Sequence, residues 1–337
     1  MTMTNLAPAH VSEAVGPLSD ARSSRTVLLA NPGSFRMSGA RRLGRIARLA
    51  DARGIALYPV HGPEDVAAAV RAAGLASADR LVVIGGDGTM QATVTCLTAQ
   101  AENGTAPALC MLGGGRTNFT ARDLGSHARL FRSLQRLIDS PGSWSIEQRR
   151  VLDIHTKTHG SLYGFFVAGA MVDEIIRDCH EYRHRHSDWL RSGHPATLWR
   201  VAQLSLLGLT GRRSFHQPKL RVEAAELGCL AGPVRLVLIS SLQHAGAFDP
   251  YADRGTGDLR LTVVGADAGR FWRRLPALLR GRFHPDQNPA SGYLSGRTRR
   301  MHVQGLPSIC LDGQEFSLDP EETVRVQAGP AFRFLRP

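Results

Sequence analysis

The apolar and polar positions of this chain alternate in one rhythm up to about Ser140 and in another after it. Thr26-Val27-Leu28-Leu29-Ala30 is a short apolar run that ends in the turn Asn31-Pro32-Gly33-Ser34. From Ala40 to Arg53 the apolar positions Leu43, Ile46, Ala47 and Ala50 fall on one helical face. Ile55 to Val60 predicts a second strand, and Glu64 to Ala73 a second helix opened by Pro63. Leu81 to Ile84 is a third strand, Pro107 to Leu112 a fourth, and His127 to Asp139 another amphipathic helix. Strands separated by helices predict a parallel sheet covered on both faces. In such sheets ligands gather at the carboxyl ends of the strands, where Asn31, Gly85 to Thr89 and Gly115 to Asn118 all fall.

After Pro141-Gly142 strand-like runs follow one another with less helix between them. They are Arg149 to His155, Tyr163 to Ala168, Leu220 to Ala225, Val234 to Ser240, Leu259 to Val264, His302 to Gln304 and Thr323 to Gln327. Helical patterns interrupt them at Met171 to Tyr182, Thr197 to Leu209 and about Ala268 to Arg280. This predicts a second, mainly antiparallel, β-rich domain. The expected organisation is an extension over residues 1–24, disordered or loosely attached, then an α/β domain over 25–142 and a β-rich domain over 143–327. No internal repeat and no long low-complexity segment interrupts this plan.

Composition narrows the class. The 337 residues are 43% hydrophobic and 21% charged, which suits a soluble globular protein with a buried core. No apolar run approaches the roughly 18 residues that span a bilayer, and the first segment lacks the build of a signal peptide. Cys96, Cys110, Cys179, Cys229 and Cys310 are scattered and lack Cys-x-x-Cys spacing, so reduced thiols in a cytoplasmic setting are expected. Forty-one basic against 29 acidic residues leave a formal charge of +12, carried by arginine because Lys157 and Lys219 are the only lysines. Such a charge favours anionic partners: nucleotides, nucleic acid or acidic membrane surfaces. A solvated arginine-rich surface accounts for it equally well.

The chemistry concentrates in Arg80-Leu-Val-Val-Ile-Gly-Gly-Asp-Gly-Thr-Met90, an apolar strand feeding the glycine loop Gly85-Gly86-Asp87-Gly88-Thr89 and then a helix. Glycines there let main-chain N–H groups approach phosphate oxygens, and the helix offers its positive end to the same anion. Asp87 is placed to meet a phosphate-bound Mg²⁺, and Thr89 offers a hydroxyl. The simpler alternative is a tight strand-to-helix turn whose Asp caps the helix. Other clusters carry less. His180, His184, His186 and His194 lie in an arginine-rich stretch that reads more readily as a solvated face than as a metal site. Trp189 and Trp199, with Arg183, Arg185, Arg191 and Arg200, read either as an interfacial membrane surface or as a core helix with an exposed rim. Ser240-Ser241, His244 and Asp249 hold triad residue types without a G-x-S-x-G elbow.

Taken in order, these motifs resemble the diacylglycerol kinase catalytic-domain family, which includes sphingosine kinases and bacterial lipid kinases. Asn31-Pro32 follows the first strand, and Gly85-Gly86-Asp87-Gly88-Thr89 follows the third. Gly115-Arg116-Thr117-Asn118, running on to Ala121-Arg122-Asp123-Leu124-Gly125, resembles the family's G-T-x-N motif, and Leu311-Asp312-Gly313 its D-G-E motif. The resemblance covers about Thr26 to Pro337. It implies an α/β nucleotide domain like that of 6-phosphofructokinase and NAD kinase, a β-rich lipid domain, and a last strand, about 328–337 and including Phe332-Arg333-Phe334-Leu335, returning to the first domain. It also implies that ATP is held by Asn31, Gly85, Gly86, Asp87, Gly88, Thr89, Gly115, Arg116, Thr117 and Asn118, with Mg²⁺ at Asp87. A carboxylate at Asp312 or Glu315 would accept the proton of a lipid hydroxyl.

The chain departs from the family at several positions. Arg116 stands where the family has Thr, Phe119 where many bacterial members have Asp, and Gln314 where the D-G-E motif has its acid, with Glu315 next to it. Successive strand residues face opposite ways, so Glu315 replaces Gln314 only if the turn slips by one residue. The family's metal-binding D-G-L-x-D segment is best matched by Thr256-Gly257-Asp258-Leu259-Arg260, whose acids are missing or shifted. The reading that results is an ATP-dependent kinase acting on a diacylglycerol-like or sphingoid lipid. The alternatives are an impaired nucleotide- or lipid-binding protein of the same fold and, without an Asn-x-Asp-Glu motif to support it, NAD kinase. Implied partners are ATP and lipid, with peripheral contact to an anionic membrane, such as the inner membrane face, and a homodimer both left open; no nucleic acid is expected.

Overall fold

The computed structural model describes residues 25–74, 78–100, 106–115, 118–124, 129–140, 143–185, 214–243 and 248–336. Three strands buried along their length form the heart of the N-terminal part: β1 (Thr26–Ala30), β3 (Arg80–Gly85) and β4 (Ala108–Gly113). They are parallel, and β2 (Ala56–Pro59) extends them beyond β1, giving the order β2-β1-β3-β4. Alternate residues point to opposite faces, and both faces are covered. Val27, Leu29, Leu81 and Val83 pack with α2 (Pro63–Ala72) and α3 (Asp87–Gln100). Leu28, Ala30, Val82 and Ile84 pack with α1 (Ala40–Asp51) and α5 (Leu130–Asp139). A short α4 (Phe119–Asp123) lies between β4 and α5. Continuous apolar strands and amphipathic helices therefore produce the expected α/β layers.

The remainder is mainly antiparallel. In order it comprises β5 (Ser145–Thr156), β6 (Gly160–Gly164), β7 (Phe166–Ala170), α6 (Met171–Arg185), β8 (Lys219–Ala224), β9 (Gly228–Ser240), β10 (Leu259–Gly265), α7 (Phe271–Leu278), β11 (Tyr293–Thr298), β12 (Arg300–Gln304), β13 (Ser308–Leu311), β14 (Gln314–Ser317) and β15 (Thr323–Arg336). One ladder runs β14-β13-β7-β9-β8-β12-β15 and continues into β4. The second half of β9 also pairs with β10, and β10 with β11.

Three differences from the sequence pattern have physical causes. The single strand expected over Tyr163 to Ala168 is two, β6 and β7, flanking the buried Phe165. Strands β11, β13 and β14 are short and carry polar or small residues, so no period-2 apolar run announced them. The two segments expected at Thr323 to Gln327 and Phe332 to Leu335 are one strand, β15. It runs antiparallel to β5, with a register shift between Ala328 and Ala331, and then beside β4 through Phe334 and Leu109. The boundary expected at 327–328 thus falls inside a continuous strand. Among the described residues no helix is long and apolar enough to cross a membrane. The five cysteines form no disulfide.

Candidate functional site

Two glycine loops meet at the carboxyl ends of β3 and β4. The backbone N–H of Gly114 donates to the Gly85 carbonyl at 2.6 Å, and that of Arg36 to the Gly114 carbonyl at 2.7 Å. A Cβ on Gly115 would lie 2.7 Å from the Gly86 Cα, and one on Gly85 would lie 2.7 Å from the Thr89 side chain. None of these glycines adopts a positive φ. The glycines are required by the close approach of the two loops, which leaves no room for a Cβ. Strand β3 passes through Gly86 directly into α3, whose first residue is Asp87, so this helix presents its N-terminal end to the cleft.

Around the loops lies a cleft of about 580 Å³ lined by Asn31, Ser34, Gly86, Gly88, Thr89 and Gly115, among others. The Asn31 Nδ2 donates to Thr89 Oγ1 at 3.1 Å, and its Oδ1 accepts from the Gly33 N–H at 2.9 Å. This amide ties the loop after β1 to the first turn of α3. Asn118 is buried, with φ of 50°, and its Nδ2 donates to the Gly115 carbonyl at 2.8 Å. Its Oδ1 is buried without a hydrogen bond among the described residues. Asp87 is nearly buried, and its carboxylate accepts from the backbone N–H groups of Phe119 at 3.3 Å and Thr120 at 3.1 Å. It therefore caps α4 across the cleft as well as opening α3.

The far end of the cleft is built by the β13–β14 hairpin. Leu311 pairs with Gln314, leaving Asp312-Gly313 as a two-residue turn with φ of 49° and 87°. Two positive φ values mark the tight hairpin turn for which Asp-Gly is the characteristic dipeptide. The Asp312 carboxylate turns inward, is buried, and accepts from the N–H groups of Phe165 at 2.8 Å and Phe166 at 3.0 Å. Burial, and secondarily the neighbouring Asp87 charge, push its carboxyl well above the usual carboxylate range. A Cβ on Gly164 would lie 2.5 Å from Asp312 Oδ2, so Gly164 makes the room for this group.

The register of the hairpin decides between the neighbouring side chains. Gln314 lines the cleft, with its Nε2 within 3.1 Å of where a Cβ on Gly88 would stand. Glu315 faces the other way and meets Arg177 at 3.5 Å and His180 at 3.6 Å. The turn does not slip, and Glu315 is not brought to the cleft.

Asn31, the Gly85 to Thr89 loop, Gly115, Asn118 and Asp312 therefore converge. Arg116 and Thr117 lie outside the described residues, as do the extension over 1–24, the helix expected at Thr197 to Leu209, and His186, His194, Trp189, Trp199, Arg191, Arg200 and His244. The side chains of Arg183, His184 and Arg185 are likewise undescribed. Sequence reasoning missed His61, Gly62, Pro63 and Val66, which form one wall of the cleft. The signal was present: Val60 ends a strand, so His61 occupies a carboxyl-end loop like the others. It also missed Phe166 and Phe248, which enclose Phe119 with ring centroids 5.9 and 5.7 Å away.

Two buried carboxylates stand next in sequence to cleft-lining residues, Asp87 between Gly86 and Gly88 and Asp312 in the turn before Gln314, and such a pair fits a divalent cation shared with a ligand's phosphates. No group of three or more His, Cys, Asp or Glu among the described residues could hold a metal unaided. At the segment Thr256 to Arg260 a cation does not fit. Asp258 is exposed and pairs with Arg150 at 3.2 Å, and Arg260 puts a guanidinium where the family has an acid.

The chain resembles known proteins in sequence over its N-terminal part and in fold over most of its length. Residues 25–141 match the diacylglycerol kinase catalytic domain family. A diacylglycerol kinase structure from Bacillus anthracis strain Sterne is similar in fold, with a TM-score of 0.61, 13% identity, and coverage of 93% of this chain and 97% of that one. A second structure from that organism, provisionally named a diacylglycerol kinase, gives a TM-score of 0.64 at 15% identity over 93% and 97% of the two chains. No curated protein matches the chain in sequence.

Proposed function

We propose that the chain is an ATP-dependent lipid kinase that phosphorylates a hydroxyl of a diacylglycerol-like or sphingoid lipid. The observation that carries this reading is the pair of buried carboxylates, Asp87 and Asp312, behind the lining of a cleft walled by two touching glycine loops. In it the main-chain N–H groups of Gly86 to Thr89 and the N-terminus of α3 receive the triphosphate, while the tie from Asn31 to Thr89 fixes the loop. Because a Cβ would collide at Gly115, the loops keep the approach that in-line transfer requires. Mg²⁺ held by Asp87 would neutralise charge on the phosphoryl oxygens. Asp312, whose carboxyl is pushed by burial above the usual carboxylate range and is thereby made a stronger base, takes the proton of the lipid hydroxyl. The half-buried rings of Phe119, Phe166 and Phe248 lie beside this end and offer apolar surface to the lipid.

Gln314 supports a second reading, an impaired binding protein of the same fold, because a neutral amide occupies the cleft position where the D-G-E motif has its acid. Incubation with γ-labelled ATP, Mg²⁺ and a lipid extract supplemented with diacylglycerol and sphingoid base separates the two. Label in the organic phase is the expected result. Binding of ATP without transfer to any lipid supports the second reading, and label on NAD would make the chain an NAD kinase.

A further inference from the structure

A second cavity, of about 200 Å³, shares no lining residue with the glycine cleft. Its walls include Arg150, Arg260 and Arg297, one carboxylate, Asp258, and the polar side chains of Ser241 and Gln243. Arg260 on β10 and Arg297 on β11 are paired directly across the two antiparallel strands, so their side chains share a face. Like charges so placed repel unless something negative lies between them. Asp258 pairs with Arg150 and Asp249 with Arg260, yet no ion pair engages Arg297 among the described residues. Arg260 is buried, stacked over Tyr251 with its guanidinium carbon 4.7 Å from the ring centroid. Its Nη1 donates to the Gln243 carbonyl at 3.2 Å, but its Nε has no acceptor among the described residues. The Ser241 hydroxyl, also buried, has no hydrogen-bond partner among the described residues. Buried donors without acceptors are costly, and two of them beside clustered guanidinium groups describe a site shaped for an oxyanion.

We propose that this cavity binds a phosphate-type anion, either free phosphate or the monoester headgroup of an acidic lipid. The segment that resembles the family's cation site has thereby reversed its sign. Arg260 supplies a fixed positive charge, Arg297 the unpaired one, and Ser241 a hydroxyl to orient the oxygens. The inference does not depend on kinase activity, since none of these residues lies in the glycine cleft.

Titration calorimetry of the full chain with inorganic phosphate, and separately with dioctanoyl phosphatidate below its micellar concentration, tests it at constant ionic strength. Saturable binding of at least one ligand is expected. Arg297→Gln and Ser241→Ala should each weaken it, the first by about tenfold or more, as loss of a hydrogen bond to a charged group implies. The melting temperature without anion should stay near that of the parent, because no ion pair engages Arg297 among the described residues. Gly88→Val, which fills the glycine cleft, should leave this binding unchanged. Binding of phosphate alone assigns a free anion, and binding of the ester alone assigns a lipid headgroup; either result supports the site. Failure to bind both ligands, or binding insensitive to both Arg297→Gln and Ser241→Ala, overturns it.

Discussion

The two ends of the glycine cleft are built by opposite rules. At the phosphate end the constraint is space: Gly85 has no room for a Cβ against Thr89, nor Gly115 against Gly86. At the acid end the constraint is charge: Asp312 is buried beside Asp87, held by two backbone N–H groups, with Gln314 as the cleft-facing neighbour. A spatial constraint admits almost no substitution, so this end keeps its glycines, although Arg116 beside them departs from the motif. A charge constraint can be met by more than one arrangement, and the acid end differs from the pattern it resembles.

Substitutions at the acid end should give the largest effects. Asp312→Asn should reduce kcat for lipid phosphorylation by about 10²–10⁴-fold, the usual contribution of a general base, while Glu315→Gln, on the far face of β14, should leave kcat close to the parent's. Steady-state assays on both variants check this, and a silent Asp312→Asn would remove that residue from the mechanism. Gly115→Val should weaken ATP binding by about 100-fold through displacement of the Gly86 backbone, as measured by calorimetry.

Asp87→Ala sharpens the contrast because this residue belongs to both ends. It should abolish transfer and also lower unfolding stability by about 1 kcal/mol, since α4 loses the carboxylate that caps Phe119 and Thr120. Urea melts supply that value. A control on glycine itself has the smallest effect and the opposite sign. Gly44, exposed within α1 with nothing near its missing Cβ, should gain roughly 0.5–1 kcal/mol on replacement by Ala.

The charge at Asp312 also predicts a pH dependence of stability. A raised pKa means that the folded chain holds this proton more tightly than the unfolded chain does. The corresponding stabilisation is complete below the ordinary carboxylate range and is lost as pH rises through the raised value. Melts of the parent and Asp312→Asn across that interval should therefore show the parent losing stability relative to the variant.

How far each region was legible follows from the same contrast. The strands β1, β3 and β4 and their helices declared themselves because burial on both faces leaves continuous apolar runs. The convergence of Asn31, the Gly85 to Thr89 loop and Gly115 followed from the carboxyl-end rule, and the same rule would have found His61. By contrast β13 and β14 are four-residue strands with no usable period. Only the Asp312-Gly313 turn marked them, and it was legible as a motif before it was legible as a hairpin. The packing of Gly164 against Asp312 and the arginine cavity depend on contacts between segments distant in sequence, which no local pattern encodes.

In the proposed kinase the phosphate end, with its glycines kept, and the altered acid end still act together on a lipid. Transfer from γ-labelled ATP to lipid, compared between the parent and Gln314→Glu, tests it most directly. The parent should show measurable transfer, dependent on Asp312 and changed only modestly by Gln314→Glu. An inactive parent in which Gln314→Glu creates activity would contradict it, and would make Gln314 the residue that silences the site.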